Sequence, residues 1–327
     1  MVGWSELRAT WPTEAGPARE KAVRDAFAAG DALPWIWREV VVHDPAFGRL
    51  ARFSVPTDTL SIGEPGDSVR VNVTHETAQY LADQEGLLLQ TPRIADAAQA
   101  QAEQWIDATR VTSGALWKID GAPTSTAYMQ AHSEAIDARA NRPASIGGPW
   151  KFWINSKRLE NLDGLALGAK SAMQYGFWTH DKITKATGGQ HPDLYVWQNP
   201  GSTHPVTYTD YSEHHQPMAR WALVEGPGFA PGGEFRDVVE MAKDPELWAL
   251  VNHDGPILMH HPHLPVCPPG VACEPSPSGG GKIPPPPPGG PPQPPTPPPP
   301  AAGFDRYRLA PVAAVGILFA AAAWSQK

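Results

Sequence analysis

The stretch "VRVNVTHETAQYLADQEG", residues 69–86, indicates that the chain mixes strands and helices. Its first half alternates apolar and polar residues, which predicts a short strand with one buried face. Thr74 then fits the N-cap of a helix and Gly86 fits its C-cap. The residues that would face the core from the strand are Val69, Val71 and Val73, and from the helix Thr77, Ala78 and Leu81.

The segments on either side extend this pattern without a regular strand–helix alternation, which predicts an α+β fold. In "TPRIADAAQAQAEQWID" (91–107), Thr91 fits an N-cap and Pro92 the first helical position. The inner stripe of that helix is predicted to be Ile94, Ala97, Ala98 and Trp105. Further helices are predicted in segments 19–30, 127–141 and 234–253. Strands are predicted in 34–44, 49–63, 148–160, 170–182 and 194–198, and a loop in 112–126.

The composition predicts a single globular domain followed by a proline-rich tail. The chain has 327 residues and 38 prolines, and twenty of these prolines lie between Pro256 and Pro300. Such a segment cannot bury a core and fits a polyproline-type spacer. The predicted organisation is an N-terminal arm (1–14), an α+β domain (15–255), a Pro/Gly/His-rich linker (256–303) and a hydrophobic C-terminal helix (304–327).

Charge and cysteine content narrow the classes of function. Acidic residues outnumber Lys plus Arg, 34 to 26, with no basic stripe, which argues against a nucleic-acid partner. The two cysteines, Cys267 and Cys273, lie beside the proline-rich tract, so the predicted domain has no thiol nucleophile. They would form a ring in an oxidising compartment and remain two thiols in a reducing one. The N-terminal residues have no apolar segment of signal-peptide length, so classical secretion is not expected.

The C-terminal residues predict a membrane anchor. Leu309–Trp324 is an uncharged run flanked by Arg306, Arg308 and Lys327. As a helix it spans about 24 Å, less than the roughly 30 Å hydrocarbon core, but interfacial aromatic and basic residues lie at its ends. The alternative is an oligomeric helical bundle at the tip of a proline-rich stalk. The expected location is therefore membrane-associated, or else a virion or cell surface.

The stretch "HPVTYTDYSEHHQP", residues 204–217, concentrates the residue types that carry acid/base chemistry. In an extended conformation, Asp210, Ser212 and His214 would share one face. His214 would then be a general base, Asp210 or Glu213 its orienter, and Ser212 or a water the nucleophile. The residues predicted to be catalytic are His214, Asp210, Ser212, His204 and His180. The residues predicted to bind substrate are Tyr175, Trp178, Lys151 and Tyr211.

Two other interpretations of this stretch stay open. The same types of side chain could bind a metal ion, and the candidate ligands are His204, Asp210, His214 and His180. Their spacing matches no known helical metal motif, so no metal or other cofactor is predicted. Alternatively, Asp210 and Ser212 could cap a turn through their own backbone, with the histidines on the surface.

The order of segments resembles an uncharacterised family of bacterial proteins. The resemblance covers Arg19 to about Glu225 and rests on four segments. These are "REKAVRDAFAAGDALPWIWREVVV", "VTHETAQYLADQEGLLLQTPRIADAAQAQAE", "QYGFWTHD" and "HPVTYTDYSEHH". It implies one domain and points to the region between Tyr175 and His215. The chain departs from the family's polar motifs: it keeps only Lys151 of a His-Lys-Lys-Asp run, shifts His180, and has "DYSEHH" in place of Asp-Tyr-Ser-His-Gly.

Two functions from different classes follow from these observations. The first is a membrane-tethered hydrolase with a His/Asp/Ser-containing cleft, acting on a cell-envelope polymer, either glycan or peptide. The 13 tryptophans motivate this substrate, although they also fit a core built on large aromatics. The second is a non-catalytic structural or attachment protein of a cell surface or virion, with the spacer as a stalk and the tail as a contact for homo-oligomers. The altered polar motifs favour this second function.

Overall fold

A computed structural model describes residues 1–106, 122–156, 171–179, 195–253 and 255–259, with the backbone alone for residues 171–173 and 202–204. The predicted spacer, the C-terminal helix and both cysteines lie outside these residues. The helices are α1 (Trp4–Leu7), α2 (Pro17–Ala29), α3 (His75–Glu85), α4 (Pro92–Ala100), α5 (Thr126–Asp137), α6 (Val238–Met241) and α7 (Trp248–Val251). Among the described residues, no helix combines the length and the apolar character needed to cross a bilayer.

The strands form two four-stranded sheets and three short pairs. The strands are β1 (Trp37–Asp44), β2 (Arg49–Pro56), β3 (Ser61–Glu64), β4 (Asp67–Arg70), β5 (Leu88–Leu89), β6 (Gln104–Trp105), β7 (Ile146–Gly147), β8 (Lys151–Trp153), β9 (Ser171–Thr179), β10 (Tyr195–Pro205), β11 (Glu213–His214), β12 (Pro217–Met218), β13 (Trp221–Glu225) and β14 (Glu234–Asp237). The first sheet has the order β1-β2-β13-β14 and is antiparallel. The second has the order β10-β9-β8-β11, in which β11 runs parallel to β8. Helices and sheets together confirm the α+β class.

The helix caps predicted from the sequence are confirmed. The Thr74 side chain accepts from the Thr77 backbone N–H at the start of α3, and Gly86 ends that helix with φ of 68°. The Thr91 hydroxyl accepts from the Ile94 N–H at the start of α4. Positive φ is accessible to glycine because it has no Cβ, which explains why the helix ends where it does.

Two predictions about these segments are wrong in detail. Helix α4 ends at Ala100, so Trp105 lies on strand β6 rather than on the inner stripe of the helix. The segment 234–253 is predicted to contain one or two helices, and it contains α6 and α7, but its first four residues form strand β14 against β13. Pairing with an existing sheet edge outweighs local helix propensity there.

Each four-stranded sheet covers its own part of the core. The first packs against α4, α6 and α7 through a cluster that includes Phe53, Val224 and Leu250. The second contributes Phe152, Tyr175 and Trp178 to a separate cluster with Ile136 of α5. The opposite face of the second sheet carries Lys151, and the candidate site lies on that face.

Candidate acid/base site

The stretch 204–217 folds as a turn followed by a short buried strand, so the predicted extended conformation is wrong. Strand β10 ends at Pro205, and the Tyr208 N–H donates to the Pro205 carbonyl at 3.0 Å. The Asp210 carboxylate accepts from both the N–H and the hydroxyl of Ser212, at 2.8 and 2.5 Å. This confirms the alternative that Asp210 and Ser212 cap a turn. The alternation that would place Asp210, Ser212 and His214 on one face does not apply.

Lys151 is the centre of a cluster of polar side chains. Its ammonium group donates to Glu213 Oε1 at 2.8 Å, to Gln174 Oε1 at 3.2 Å and to Asp210 Oδ2 at 3.4 Å. The register of the sheet causes this arrangement, because Lys151 pairs with Glu213 on one side and with Gly176 on the other. The second oxygen of the Glu213 carboxylate accepts from the Asp210 backbone N–H.

Asp210 connects this cluster to solvent. The side chains of Lys151 and Glu213 are buried, whereas that of Asp210 is 15% exposed. The Tyr208 hydroxyl, on a half-buried side chain, lies 3.5 Å from the same Asp210 oxygen that contacts Lys151. A reacting molecule would therefore meet the Asp210 carboxylate first, with the Lys151–Glu213 pair behind it.

Glu213 titrates near neutrality. Burial is the main cause, and the negative charge of Asp210 adds to it. The Lys151 ammonium opposes both effects, and the resulting pKa of Glu213 is about 7. A carboxyl group that changes charge at neutral pH beside an exposed carboxylate is the kind of arrangement that catalytic sites use.

Two consecutive residues of β9 with positive φ place Phe177 on the side of the second sheet that carries Lys151. Gly176 has φ of 153° and Phe177 has φ of 57°, a conformation that costs energy for a residue with a side chain. A Cβ on Gly176 would approach the Trp150 carbonyl oxygen to 2.5 Å, so no larger residue fits. The Lys151 ammonium lies 5.7 Å from the centre of the Phe177 ring. Strained residues of this kind are frequent at functional sites.

Gln174 and Phe177 are the members of the site that the sequence did not single out. The Gln174 side chain is buried, and its amide nitrogen is an unpaired donor beside Lys151. Buried donors are rarely left unpaired, so this one is an unsatisfied position beside Lys151. The sequence feature that could have pointed to these two residues is Gly176, because a glycine inside a predicted strand often marks an irregularity of the strand.

His214 and His215 are core residues, and their predicted placement on the surface is wrong. His214 Nε2 lies 3.2 Å from the Tyr211 carbonyl and its Nδ1 lies 3.4 Å from the Thr59 hydroxyl. Burial lowers the pKa of both histidines to about 3, so both are neutral at physiological pH. The Ser212 hydroxyl donates to Asp210, and the contacts of these two described residues include no Ser212–His214 hydrogen bond. A Ser–His dyad therefore has no geometric support.

Tyr175 and Trp178 lie in the core next to a buried carboxylate. The Tyr175 hydroxyl and the Trp178 indole N–H donate to the same oxygen of Asp96, at 2.6 and 2.7 Å. Both side chains are fully buried and have no surface to offer a ligand. Tyr211 is also buried, against Tyr128. Their burial gives the predicted substrate-binding role no support, whereas Lys151 lies directly at the cluster.

The other predicted residues are placed as follows. His180 lies outside the described residues. His204 pairs through its backbone with Ala172 at the end of β10, and its side chain is not described. The part of the chain that the structure describes contains no group of three or more His, Cys, Asp or Glu side chains arranged to hold a metal ion. The proposed metal ligands are therefore not brought together among the residues whose side chains are described.

Comparison with known proteins identifies no relative: no family model, no curated protein and no solved structure matches this chain.

Proposed function

We propose that the protein is a hydrolase whose acid/base centre is the cluster of Asp210, Lys151 and Glu213. The observation that carries this proposal is a solvent-accessible carboxylate held against a buried Lys–Glu pair that titrates near neutrality. Asp210 takes the proton of a water molecule as the water oxygen attacks the electrophilic carbon of the substrate. The leaving oxygen or nitrogen takes a proton from Asp210 at an acyl carbon, or from solvent at the anomeric carbon of a glycan. In the second case Asp210 releases its own proton to solvent, so the overall change in both cases is hydrolysis of one bond.

Lys151 and Glu213 act through Asp210 and do not touch the substrate. When Glu213 is ionised, it accepts the shortest hydrogen bond of the Lys151 ammonium, at 2.8 Å, whereas Asp210 lies at 3.4 Å from the same nitrogen. When Glu213 is protonated, Asp210 is the charged partner of the Lys151 ammonium within the described cluster, and the ammonium holds its carboxylate back from the water. Ser212 fixes the orientation of the Asp210 carboxylate through two hydrogen bonds.

This role of Glu213 predicts the pH dependence of turnover. The rate should rise as pH increases through about 7, because Glu213 loses its proton there. Glu213→Gln cannot ionise and should flatten the profile between pH 6 and 8. The measurement is the rate of release of fragments from envelope polymer as a function of pH, for both forms. The same rise in both proteins would exclude Glu213 from the mechanism.

The proposed arrangement of the whole chain is a single domain tethered to a membrane. Its support is the sequence alone: the proline-rich linker (256–303) and the uncharged helix within 304–327. The resemblance of Arg19–Glu225 to an uncharacterised bacterial family, which implies one domain, is part of the same proposal. A cell-envelope polymer is then the substrate within reach of the tethered domain.

Removing the tail should release the protein from membranes. Full-length protein is expected in the membrane fraction, and a truncation after Pro300 is expected in the soluble fraction, because the truncation removes the proposed anchor Leu309–Trp324. The measurement is cell fractionation, with size-exclusion chromatography of the soluble material. Two soluble forms with a monomeric full-length protein would rule out both the anchor and the helical bundle.

A non-catalytic surface or virion protein is the second candidate. It is favoured by the burial of His214 and His215 and by the fact that Ser212, Asp210 and Lys151 already satisfy one another. On this alternative, the cluster stabilises the fold and the domain binds a neighbour. Absence of turnover on any envelope polymer, with unchanged folding of the cluster variants, would favour it.

A further inference from the structure

Trp197 is an exposed aromatic residue on β10, the edge strand of the second sheet. Its side chain is 41% exposed, whereas its neighbour Val196 is fully buried in the cluster with Tyr175 and Trp178. Adjacent residues of a strand point to opposite faces. Trp197 therefore points away from that cluster, to the side of the sheet that carries the acid/base site.

The register connects Trp197 to that site. Val196 pairs with Trp178 and Gln198 pairs with Gly176, which places Trp197 opposite Phe177. Residues opposite each other in an antiparallel pair have Cβ atoms about 5 Å apart. Phe177 in turn contacts the Lys151 ammonium, which contacts Asp210. One face of the sheet thus carries, in sequence, the exposed indole, the Phe177 ring and the polar cluster. The Phe177 ring is buried against Tyr128 and Tyr211, so the accessible groups are the indole and the Asp210 carboxylate.

We propose that this surface binds a glycan chain and that Trp197 stacks against one of its pyranose rings, so that the polymer hydrolysed at Asp210 is a polysaccharide. This inference rests on the proposed hydrolase function and assigns its substrate class. The C–H face of a pyranose ring is apolar while its hydroxyls project from the rim, and an exposed indole offers a flat apolar partner for that face.

The spacing of the strands fits a polymer rather than a single sugar. Trp197 and Lys151 are two strands apart, and strands in a sheet are separated by about 4.8 Å, so their backbones lie about 10 Å apart. That distance is comparable with two linked pyranose rings. A ring stacked on Trp197 would therefore place a neighbouring unit of the same chain near the Asp210 carboxylate, which is the accessible member of the cluster.

Charge favours an uncharged polysaccharide. The protein has a net charge of −8, and the accessible group of the site is the Asp210 carboxylate. The Lys151 ammonium is buried and is already paired with Glu213 and Asp210, so it does not offer a free positive charge to an anionic polymer. Neutral N-acetylated or hexose units meet these constraints.

The test uses the full chain with Asp210→Asn, so that a bound glycan is not consumed. Isothermal titration calorimetry with the tetrasaccharide of N-acetylglucosamine should detect binding, and adding Trp197→Ala should weaken it about five- to tenfold. The matched control is Trp37→Ala, because Trp37 is 40% exposed but lies on the first sheet. This control should bind as the parent does.

Three outcomes would overturn the glycan assignment. They are an unchanged affinity in the Trp197→Ala variant, an equal loss in the Trp37→Ala control, and binding of a cell-wall stem peptide but not of the tetrasaccharide. The two proposals fail separately. If Asp210→Asn alone abolishes turnover while Trp197→Ala changes neither affinity nor KM, the hydrolase stands and the glycan platform does not. If Trp197→Ala weakens binding while Asp210→Asn turns over normally, the glycan-binding surface stands and Asp210 is not the general base.

Discussion

Lowering the pH from 6.5 to 4 is expected to reduce the free energy of unfolding by several kcal/mol. His214 and His215 have folded-state pKa values of about 3, far below the ordinary value near 6.5, because burial disfavours their charged form. The unfolded chain therefore binds more protons than the folded one in this range. Their stabilising contribution is present above pH 6.5 and is lost as pH falls towards 3.

The size of this effect can be estimated from the two shifts. Each histidine contributes on the order of 3 kcal/mol between pH 6.5 and 4. Glu213 acts in the opposite direction, because its pKa is raised to about 7 and its contribution grows as pH falls from 7 to about 4.5. That gain in the free energy of unfolding offsets the loss caused by about one of the two histidines. His132, whose pKa burial also places well below its usual value, adds to the loss.

His215→Phe is the variant that isolates the contribution of one histidine to this loss of stability. Both ring nitrogens of His215 lack a hydrogen-bond partner, and its ring packs edge-on against Trp35 at 6.0 Å. Phenylalanine keeps that packing and cannot be protonated, so the variant should lose less stability between pH 6.5 and 4 than the wild type. Urea denaturation at several pH values measures this. His43→Phe, at an exposed position, is the control and should leave the slope unchanged. A wild-type stability that is independent of pH would contradict the assignment.

The sequence predicted most helix ends because their causes are local. Thr74 and Gly86 bound α3 through a side-chain cap and a positive φ, both of which depend on one residue and its neighbours. The strand at 234–237 was missed because pairing with β13 decides it, and the sequence of the segment does not encode that contact. Local signals therefore fixed the helices better than the sheet edges.

The stretch 204–217, which the sequence singles out, contributes Asp210 and Glu213 to the candidate site, but the structure places His214 in the core. The sequence predicts roles for Asp210, Ser212 and Lys151, and the structure brings these three residues into contact. In an extended strand, His214 would share a face with Asp210 and Ser212, and it was predicted to be the general base for that reason. The turn at Asp210–Ser212 instead directs His214 into the core and brings Glu213 onto Lys151 across the parallel pair of β11 and β8. That pairing joins residues 62 positions apart, so no local pattern could reveal it.

Asp210→Asn should lower turnover of envelope polymer by about 10²–10⁴-fold, because an amide cannot accept the proton of the attacking water. Asparagine has nearly the shape of aspartate and retains an oxygen for the Ser212 N–H, so the turn should persist. The matched control is Asp58→Asn. Asp58 is 17% exposed and pairs with Arg70 and Arg142, a similar setting outside the cluster.

The most direct test of the account is therefore turnover of purified envelope-polymer fragments by three proteins: wild type, Asp210→Asn and Asp58→Asn. Thermal denaturation of each protein confirms that it is folded under the assay conditions. The account predicts that wild type and Asp58→Asn release fragments at similar rates and that Asp210→Asn falls to the background. Equal rates in wild type and Asp210→Asn, both above background, would contradict the assignment of Asp210 as the general base.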